Sequence, residues 1–153
     1  KLILNNKSNF NRNTDLLLYM AARSENVEII KKFYNKKIIL IDRFTDSTIA
    51  YQHYGMGVNL NLIETLNKYL LKNIKVGFTF LNIVNQKNLQ KRLKQRRSLN
   101  RYDKFKMSFY NNVQKGFINL SQQQKNKYQL INSNLEIDKN EKLIISKIDR
   151  LIK

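Results

Sequence analysis

The sequence lacks several residue types that define common classes of site. It contains no cysteine, which excludes disulfides, zinc knuckles and thiol catalysis. The absence of disulfides is compatible with a reducing cytoplasm, where we expect the protein to reside. Proline is also absent, and there are 4 glycines among 153 residues. Long apolar runs are missing too, since the longest cover residues 16–22 and 38–41, far too few to span a membrane.

Charge is the most unbalanced property of the composition. Lysine and arginine number 29 against 11 acidic residues, which gives a formal net charge of +18. A basic excess of this size favours anionic partners such as nucleotides, nucleic acids or acidic lipid head groups. The excess is densest between Lys87 and Lys127, where twelve basic residues accompany a single acid, Asp103. A solvated helix face explains most of these side chains equally well.

Apolar periodicity predicts helices that alternate with strands. The predicted helices cover residues 13–34, 46–54, 59–72, 88–96, 103–127 and 138–152, and the predicted strands cover residues 38–41, 76–84 and 128–131. Asn13 or Thr14 is suited to cap the first helix. The continuous apolar run at 38–41 suits a parallel strand that is buried on both faces. This order indicates a layered α/β fold with a mostly parallel sheet, and the absence of repeats and linkers predicts one domain over residues 1–153.

A charged pair, Asp42 and Arg43, follows the first predicted strand. Ligands of parallel sheets collect just beyond the carboxyl ends of the strands. The planar guanidinium of arginine suits phosphate oxygens, and a carboxylate suits magnesium or a magnesium-bound water. Taken alone, such a dipeptide is more often a structural ion pair at the end of a strand.

Four longer patterns surround this pair. Residues 42–52 read D-R-F-T-D-S-T-I-A-Y-Q, and residues 17–23 read L-L-Y-M-A-A-R. Residues 89–103 contain L-x-x-R-L-x-x-R and then L-N-R-Y-D, and residues 109–117 read F-Y-x-x-V-x-x-G-F. Residues 42–52 resemble the D-R-aromatic-x-x-S-x-x-A-Y-Q signature of the thymidylate kinase family, and residues 17–23 resemble its L-L-F-x-A-x-R helix. Residues 89–103 resemble the lid segment of that family, and residues 109–117 resemble its F-H-x-R-V-R-x-G-Y helix. The resemblance covers essentially the whole chain.

The resemblance implies both a fold and a reaction. The implied fold is a P-loop kinase-like three-layer α/β sandwich with a parallel sheet. The implied reaction transfers a phosphate from ATP to dTMP, giving dTDP for dTTP biosynthesis, with Mg²⁺ as the cofactor that accompanies ATP. The implied partners are dTMP, ATP and a second copy of the chain in a homodimer, and they include neither a membrane nor a nucleic acid.

A dTMP pocket follows from the resemblance residue by residue. Tyr19 and Arg23 are four residues apart on a helix and share a face. In the family the aromatic ring stacks on thymine and the arginine donates to O4, a donor that is mismatched against the amino group of cytosine. Arg43 would bind the acceptor phosphate, and Asp42 would organise it and the magnesium shell. The other implied dTMP contacts are Ser47, Thr48, Tyr51 and Gln52, with Tyr51 crowding a 2′-hydroxyl. The alternatives are a core aromatic for Tyr19 and helix-cap or surface roles for the hydroxyls.

The lid segment, about residues 94–103, carries Arg96, Arg97 and Arg101. Phosphoryl transfer depends mainly on positioning and on neutralising charge at the transferring oxygens. A mobile basic loop is suited to close over the ATP phosphates and supply that charge, so we assign these arginines to catalysis together with Asp42 and Arg43. The sequence does not decide which of the three acts, and solvated charge explains at least one of them.

The phosphate-binding loop of such kinases, G-x-x-x-x-G-K-[ST], does not occur in these 153 residues, because none of the glycines is followed by lysine. In the family this loop follows the central first strand of a five-stranded sheet of order 2-3-1-4-5. No signal peptide is visible, and the chain begins at Lys1 rather than at methionine. We therefore expect an N-terminal truncation with the loop about forty residues before Lys1. We also expect a segment that is inactive and poorly stable alone, because its inner strand edges would be unpaired.

Two other interpretations stay open at this point. The charge between residues 87 and 127 suits a basic nucleic-acid-binding module, although such a module has no need for the spacings at residues 19–23 and 42–52. A non-catalytic relative of the kinases is the other. The single histidine, His53, lies where the family usually has glycine, and we interpret it as local variation and not as a base.

Overall fold

The computed structural model describes residues 2–152. The helices are α1 (Arg12–Phe33), α2 (Thr45–Thr48), α3 (Leu60–Leu71), α4 (Gln86–Lys94), α5 (Met107–Gln123) and α6 (Ile137–Leu151), and the strands are β1 (Thr79–Ile83) and β2 (Tyr128–Asn132). A π-helical segment, Ile49–Gly55, follows α2 directly, and 3-10 turns cover Arg101–Lys104 and Lys125–Lys127. The chain divides into two compact units. The first unit comprises residues 2–76 and 99–120, and the second comprises residues 77–98 and 121–152. The single domain predicted over residues 1–153 stays a prediction.

Asparagine side chains begin three of the helices. Asn11, Asn59 and Asn85 each accept hydrogen bonds from backbone N–H groups in the first turn of α1, α3 and α4. The prediction that Asn13 or Thr14 caps α1 is wrong, because both residues already lie inside the helix and donate their backbone N–H groups to Asn11. The predicted helix at 59–72 is confirmed as α3.

The core of the first unit lies between α1, the π-helical segment and α3. Its buried apolar side chains are Leu16, Met20, Val58 and Ile63. Val27 and Ile30 of α1 are also buried, whereas Leu17 and Phe33 are exposed. Only some of the apolar side chains of α1 therefore belong to the core.

Two glycines allow α5 to pack closely on the π-helical segment. A Cβ atom added to Gly116 would lie 2.6 Å from the ring of Tyr54, and one added to Gly55 would lie 2.5 Å from the ring of Phe109. Real Cβ atoms do not approach other heavy atoms this closely, so the contact depends on the missing side chains. The predicted helix at 103–127 begins later, at Met107, because a separate 3-10 turn at residues 101–104 ends in an extended Phe105.

The strand predicted at residues 38–41 is wrong. The segment has no regular structure, and Ile38 and Leu40 are 67% and 81% exposed. A strand requires a neighbour that satisfies its backbone N–H and C=O groups. Within residues 2–152 no strand pairs with this segment, so its apolar content alone does not make it a strand.

The second unit contains the parallel sheet. β1 and β2 pair in register from Thr79 opposite Tyr128 to Ile83 opposite Asn132. This confirms a parallel arrangement for the second and third predicted strands. β1 is shorter than the predicted strand at 76–84 because its ladder matches the five residues of β2. None of the helices formed by residues 2–152 is both long enough and apolar enough to cross a membrane.

Candidate functional site

The residues that the sequence assigned to dTMP all lie in the first unit, on α1 and on the segment from residue 42 to residue 55. Tyr19 and Arg23 lie on one face of α1, and Asp15 precedes Tyr19 by a further four residues on the same face. Thr48 ends α2, and Gln52 is buried in the π-helical segment. Short π-helical segments are rare and are frequent at functional sites.

Arg23 is a buried arginine, only 9% exposed. Its Nη2 atom donates to the carbonyl oxygen of Phe44 at 3.1 Å and to Oγ1 of Thr48 at 2.6 Å. Its guanidinium carbon also lies 4.9 Å from the centroid of the Phe44 ring. Burial lowers the pKa of Arg23, an effect that the carboxylate of Asp46 opposes. The Nε atom of Arg23 is buried and has no hydrogen-bond partner within the described part of the chain.

Three tyrosines form a cluster beside this arginine-bearing face, and we call Tyr19, Tyr51 and Tyr102 the tyrosine cluster. Tyr102 meets Tyr19 edge to face with ring centroids 6.3 Å apart, and it meets Tyr51 in the same manner at 6.0 Å. Tyr51 also packs against Phe109 of α5 at 5.9 Å. Such edge-to-face pairs stabilise the arrangement beyond the area they bury, so the cluster joins α1, the π-helical segment and α5.

Burial dominates the acidity of the cluster. It raises the pKa of Tyr102 far above its ordinary value, and neighbouring Tyr19 and Asp15 raise it further. Burial likewise raises the pKa of Tyr19, although the interaction with Tyr102 and the charge of Arg43 oppose the shift. Both phenols therefore stay protonated and can donate hydrogen bonds at neutral pH.

Arg43 extends over the tyrosine cluster. Its guanidinium carbon lies 5.2 Å from the centroid of the Tyr51 ring, while the residue as a whole stays exposed. Its φ angle is +62°, which side-chain-bearing residues rarely adopt. Partial desolvation lowers the pKa of Arg43, but Tyr51, Asp42 and Tyr19 raise it more, so the net shift is upward. Asp42 is exposed, and Ser47 is half-buried in α2.

A buried polar network connects α1 to the end of the lid segment. The carboxylate of Asp15 is fully buried and accepts from Nη1 of Arg101 at 2.7 Å and from the hydroxyl of Tyr102 at 3.3 Å. The Tyr102 hydroxyl in turn accepts from Nε2 of Gln52 at 3.3 Å. Arg101 donates from Nη2 to the carbonyl oxygen of Phe10 at 3.1 Å. Arg101 is therefore held inside the first unit.

The other two lid arginines, Arg96 and Arg97, are exposed residues of the second unit. The catalytic roles of the three arginines at the ATP phosphates stay predictions. His53 donates from its ring nitrogen Nδ1 to the carbonyl oxygen of Val58 at 2.8 Å, a contact that secures the turn after the π-helical segment.

Sequence reasoning missed two residues of this site. Asp15 and Tyr102 received no role, although Tyr102 lies within the lid pattern. A signal for Asp15 was present, because an acidic residue four positions before Tyr19 falls on the buried face of α1. No comparable signal marked Tyr102, whose contacts join residues that are distant in sequence.

Comparisons with known proteins point to one family. The family model described as thymidylate kinase matches residues 1–144. The thymidylate kinase of Wolbachia sp. subsp. Brugia malayi is 39% identical over 106 residues, which cover 68% of this chain and 50% of that protein. The thymidylate kinase of Kosmotoga olearia is 28% identical over 141 residues, which cover 91% of this chain and 68% of that protein.

A solved structure gives the same result for the fold. The crystal structure of thymidylate kinase from Ehrlichia chaffeensis matches with a TM-score of 0.70 at 29% identity, covering 96% of this chain and 69% of that one. The predicted α/β fold of the P-loop kinase type is thereby confirmed. The chain spans about half to two thirds of the length of the curated relatives named above. With the family model matching nearly all of its residues, the chain belongs to the thymidylate kinase family.

Proposed function

We propose that this protein transfers a phosphate from ATP to dTMP, and that the first unit holds the dTMP. The observation that carries the proposal is the buried Arg23, whose Nε has no partner among the described residues while the tyrosine cluster and Arg43 lie nearby. A buried polar group without a hydrogen bond is costly, so such a group marks a place for a ligand atom. Family membership makes the base of dTMP the natural ligand.

The base would be recognised by side chains on α1 and the segment that faces it. Arg23 offers a donor to O4 of thymine, where cytosine presents a competing donor. Thr48 fixes the arginine by accepting a hydrogen bond from Nη2 of Arg23. Tyr19, half-buried at the edge of the cluster, supplies a ring for stacking. These contacts favour thymine or uracil over cytosine.

The phosphate of dTMP would bind at Arg43. The positive φ angle of this residue costs on the order of 1–3 kcal/mol, a strain that is typical of functional sites. Arg43 is an exposed residue whose guanidinium lies against the Tyr51 ring, a placement that suits a contact with phosphate oxygens. Ser47 and Tyr51 would complete the contacts to the deoxyribose and phosphate.

Magnesium would enter with ATP. Residues 2–152 contain no group of three acidic or histidine side chains able to hold a metal ion on their own. Magnesium bound to nucleotide needs only one or two carboxylates beside the phosphates, a role that fits the exposed Asp42. When bound, the ion would neutralise charge on the phosphate oxygens. The proposal also includes a catalytic role for the lid arginines 96, 97 and 101 at the ATP phosphates. It further includes a homodimer and a cytoplasmic location.

Binding of dTMP is the direct test of this proposal. These 153 residues contain no Gly-rich phosphate loop, so the expected signal is dTMP binding by the chain. A melting temperature measured with and without dTMP should rise, by an amount equivalent to about 3 kcal/mol at a hundredfold excess over the Kd. The same concentration of dCMP should give a smaller rise.

A matched pair of variants locates the effect. Arg23→Gln should remove most of the dTMP-induced rise, whereas Arg150→Gln, which changes an exposed arginine of α6, should leave it intact. An unmodified chain that shows no rise with dTMP, yet binds DNA tightly, would overturn the proposal in favour of a nucleic-acid-binding module.

A further inference from the structure

We infer that Asp15 is a positioning residue that sets the base selectivity of the dTMP pocket by fixing which end of the Gln52 amide faces the base. The inference rests on the proposed function. Asp15 lies on α1, Gln52 lies on the π-helical segment, and the hydroxyl of Tyr102 bridges them. Asp15 acts through Tyr102 and Gln52, without touching the nucleotide itself.

Asp15 is a buried acidic residue with two partners. Its side chain has no exposed surface, and each carboxylate oxygen has a different partner, Arg101 for Oδ1 and Tyr102 for Oδ2. Burying a carboxylate is costly unless charge and hydrogen bonds compensate it. The carboxylate is therefore held in one orientation by two donors.

The hydrogen bonds that link Gln52 to Asp15 through Tyr102 run in one direction. A carboxylate only accepts, so the Tyr102 hydroxyl gives its single proton to Asp15, and its other neighbours, Tyr19 and Gln52, meet the hydroxyl oxygen. The hydroxyl oxygen then has only lone pairs to offer Gln52, and Nε2 of Gln52 donates to it. Because that amide is nearly symmetric in shape, only this chain of bonds decides that nitrogen faces Tyr102 and that oxygen faces the other way.

The direction of these hydrogen bonds decides which atom of the Gln52 amide faces the base. With its nitrogen committed to Tyr102, the Gln52 amide presents its oxygen, an acceptor, to a ligand. Thymine carries an N–H donor at N3, where cytosine has a bare acceptor nitrogen. Asp15 thus reinforces the preference for thymine from a position that the nucleotide does not contact.

Asp15→Asn should reverse the chain of bonds. Arg101 has only donors and retains the amide oxygen of the new side chain, which leaves the amide nitrogen as a donor toward Tyr102. Tyr102 then donates to Gln52, whose amide turns and presents nitrogen to the base. We expect the ratio of dTMP affinity to dCMP affinity to fall about tenfold or more, the range expected when a buried polar group loses its partner.

The experiment is isothermal titration of the full 153-residue chain with dTMP and with dCMP, well below the melting temperature of each variant. Tyr102→Phe interrupts the same chain while keeping the ring, so its ratio should also fall. Glu28→Gln breaks an exposed ion pair with Lys31 on the same helix and should change nothing. A purely structural role for Asp15 would lower the melting temperature, or both affinities equally, and leave the ratio unchanged.

Each outcome has one meaning. A folded Asp15→Asn variant with an unaltered ratio overturns the positioning role alone. If that variant does not fold, Tyr102→Phe decides in the same way, and a fall in its ratio supports the role. An unmodified chain that binds neither nucleotide overturns the proposed function, and the positioning role with it.

Discussion

The face of α1 at the candidate site carries two buried charged side chains. Asp15 and Arg23 are both buried there, with Tyr19 midway between them. Each charge is compensated differently, because Asp15 uses both of its oxygens while one nitrogen of Arg23 is left without a partner among residues 2–152. Asp15, both of whose oxygens accept hydrogen bonds within the chain, therefore stabilises the structure, whereas Arg23 is suited to bind a ligand.

The alkaline stability of the protein should depend on Tyr102. Its pKa in the folded state is raised above the value near 10 expected in the unfolded chain. The unfolded chain releases this proton first, so the stabilising contribution is complete below about pH 10 and is lost as the pH rises toward the folded-state pKa. Above pH 10 we expect the free energy of unfolding to fall less steeply with pH in Tyr102→Phe than in the unmodified chain. The difference in slope should reach up to about 1 kcal/mol per pH unit.

Urea unfolding at several pH values between neutral and strongly alkaline measures this slope. Tyr69→Phe is the matched control, because it removes an equally sized phenol that is 73% exposed. Identical slopes for the unmodified chain and Tyr102→Phe would contradict the prediction.

At the scale of elements, the contact between α5 and the π-helical segment decides whether the tyrosine cluster forms. Gly116 approaches Tyr54 on that segment, and the neighbouring Tyr51 contacts Phe109 on α5. The close approach places the cluster against α5 on one side and α1 on the other. The fold of the site thus depends on a small residue outside it.

Gly116→Ala should destabilise the first unit. The new Cβ would lie 2.9 Å or less from three atoms of Tyr54, including its Cβ, which cannot move without the backbone. We expect a loss of about 1–3 kcal/mol in the free energy of unfolding, the usual cost of overpacking. Denaturant unfolding monitored by circular dichroism measures it.

Gly77→Ala provides the control for this variant. An added Cβ at Gly77 meets no atom within 4 Å, so its stability should stay within about 0.5 kcal/mol of the unmodified chain. Equal stability of Gly116→Ala and Gly77→Ala would show that α5 can shift to accept the methyl group.

At the scale of the whole molecule, the net charge of +18 opposes the compact state through self-repulsion. With 29 basic and 11 acidic residues, most cations have no carboxylate to pair with. The positive field also favours the approach of a doubly charged nucleotide phosphate. Charge therefore contributes to ligand capture at some cost to stability.

Salt should consequently stabilise the protein. Raising sodium chloride from about 0.01 M to about 0.5 M shortens the screening length from roughly 30 Å to a few ångströms. We expect the melting temperature to rise by several degrees, with most of the change at the low end of the range. Sucrose at matched osmolality separates screening from exclusion effects, and a melting temperature that falls with chloride would contradict the prediction.

Short-range features of the sequence determined several helices and the family resemblance. Helical periodicity and asparagine caps depend on residues within a turn of one another, so α3, α4 and α6 were predictable to within a few residues. The four-residue spacing of Tyr19 and Arg23 put them on one face, and the pattern at residues 42–52 gave the family. Asp42 and Arg43 were assigned to the site from their residue types and the family pattern, and the strand predicted before them is absent among the described residues.

Only the tertiary structure decided the features that depend on distant parts of the chain. The ion pair between Asp15 and Arg101 joins residues 86 positions apart, and nothing local to either residue reveals the other. An apolar run such as 38–41 becomes a strand only beside a partner, because backbone hydrogen bonds in a sheet are made between segments. Local propensity sets the elements, whereas burial and pairing across the chain decide which polar groups meet and hence what the site can bind.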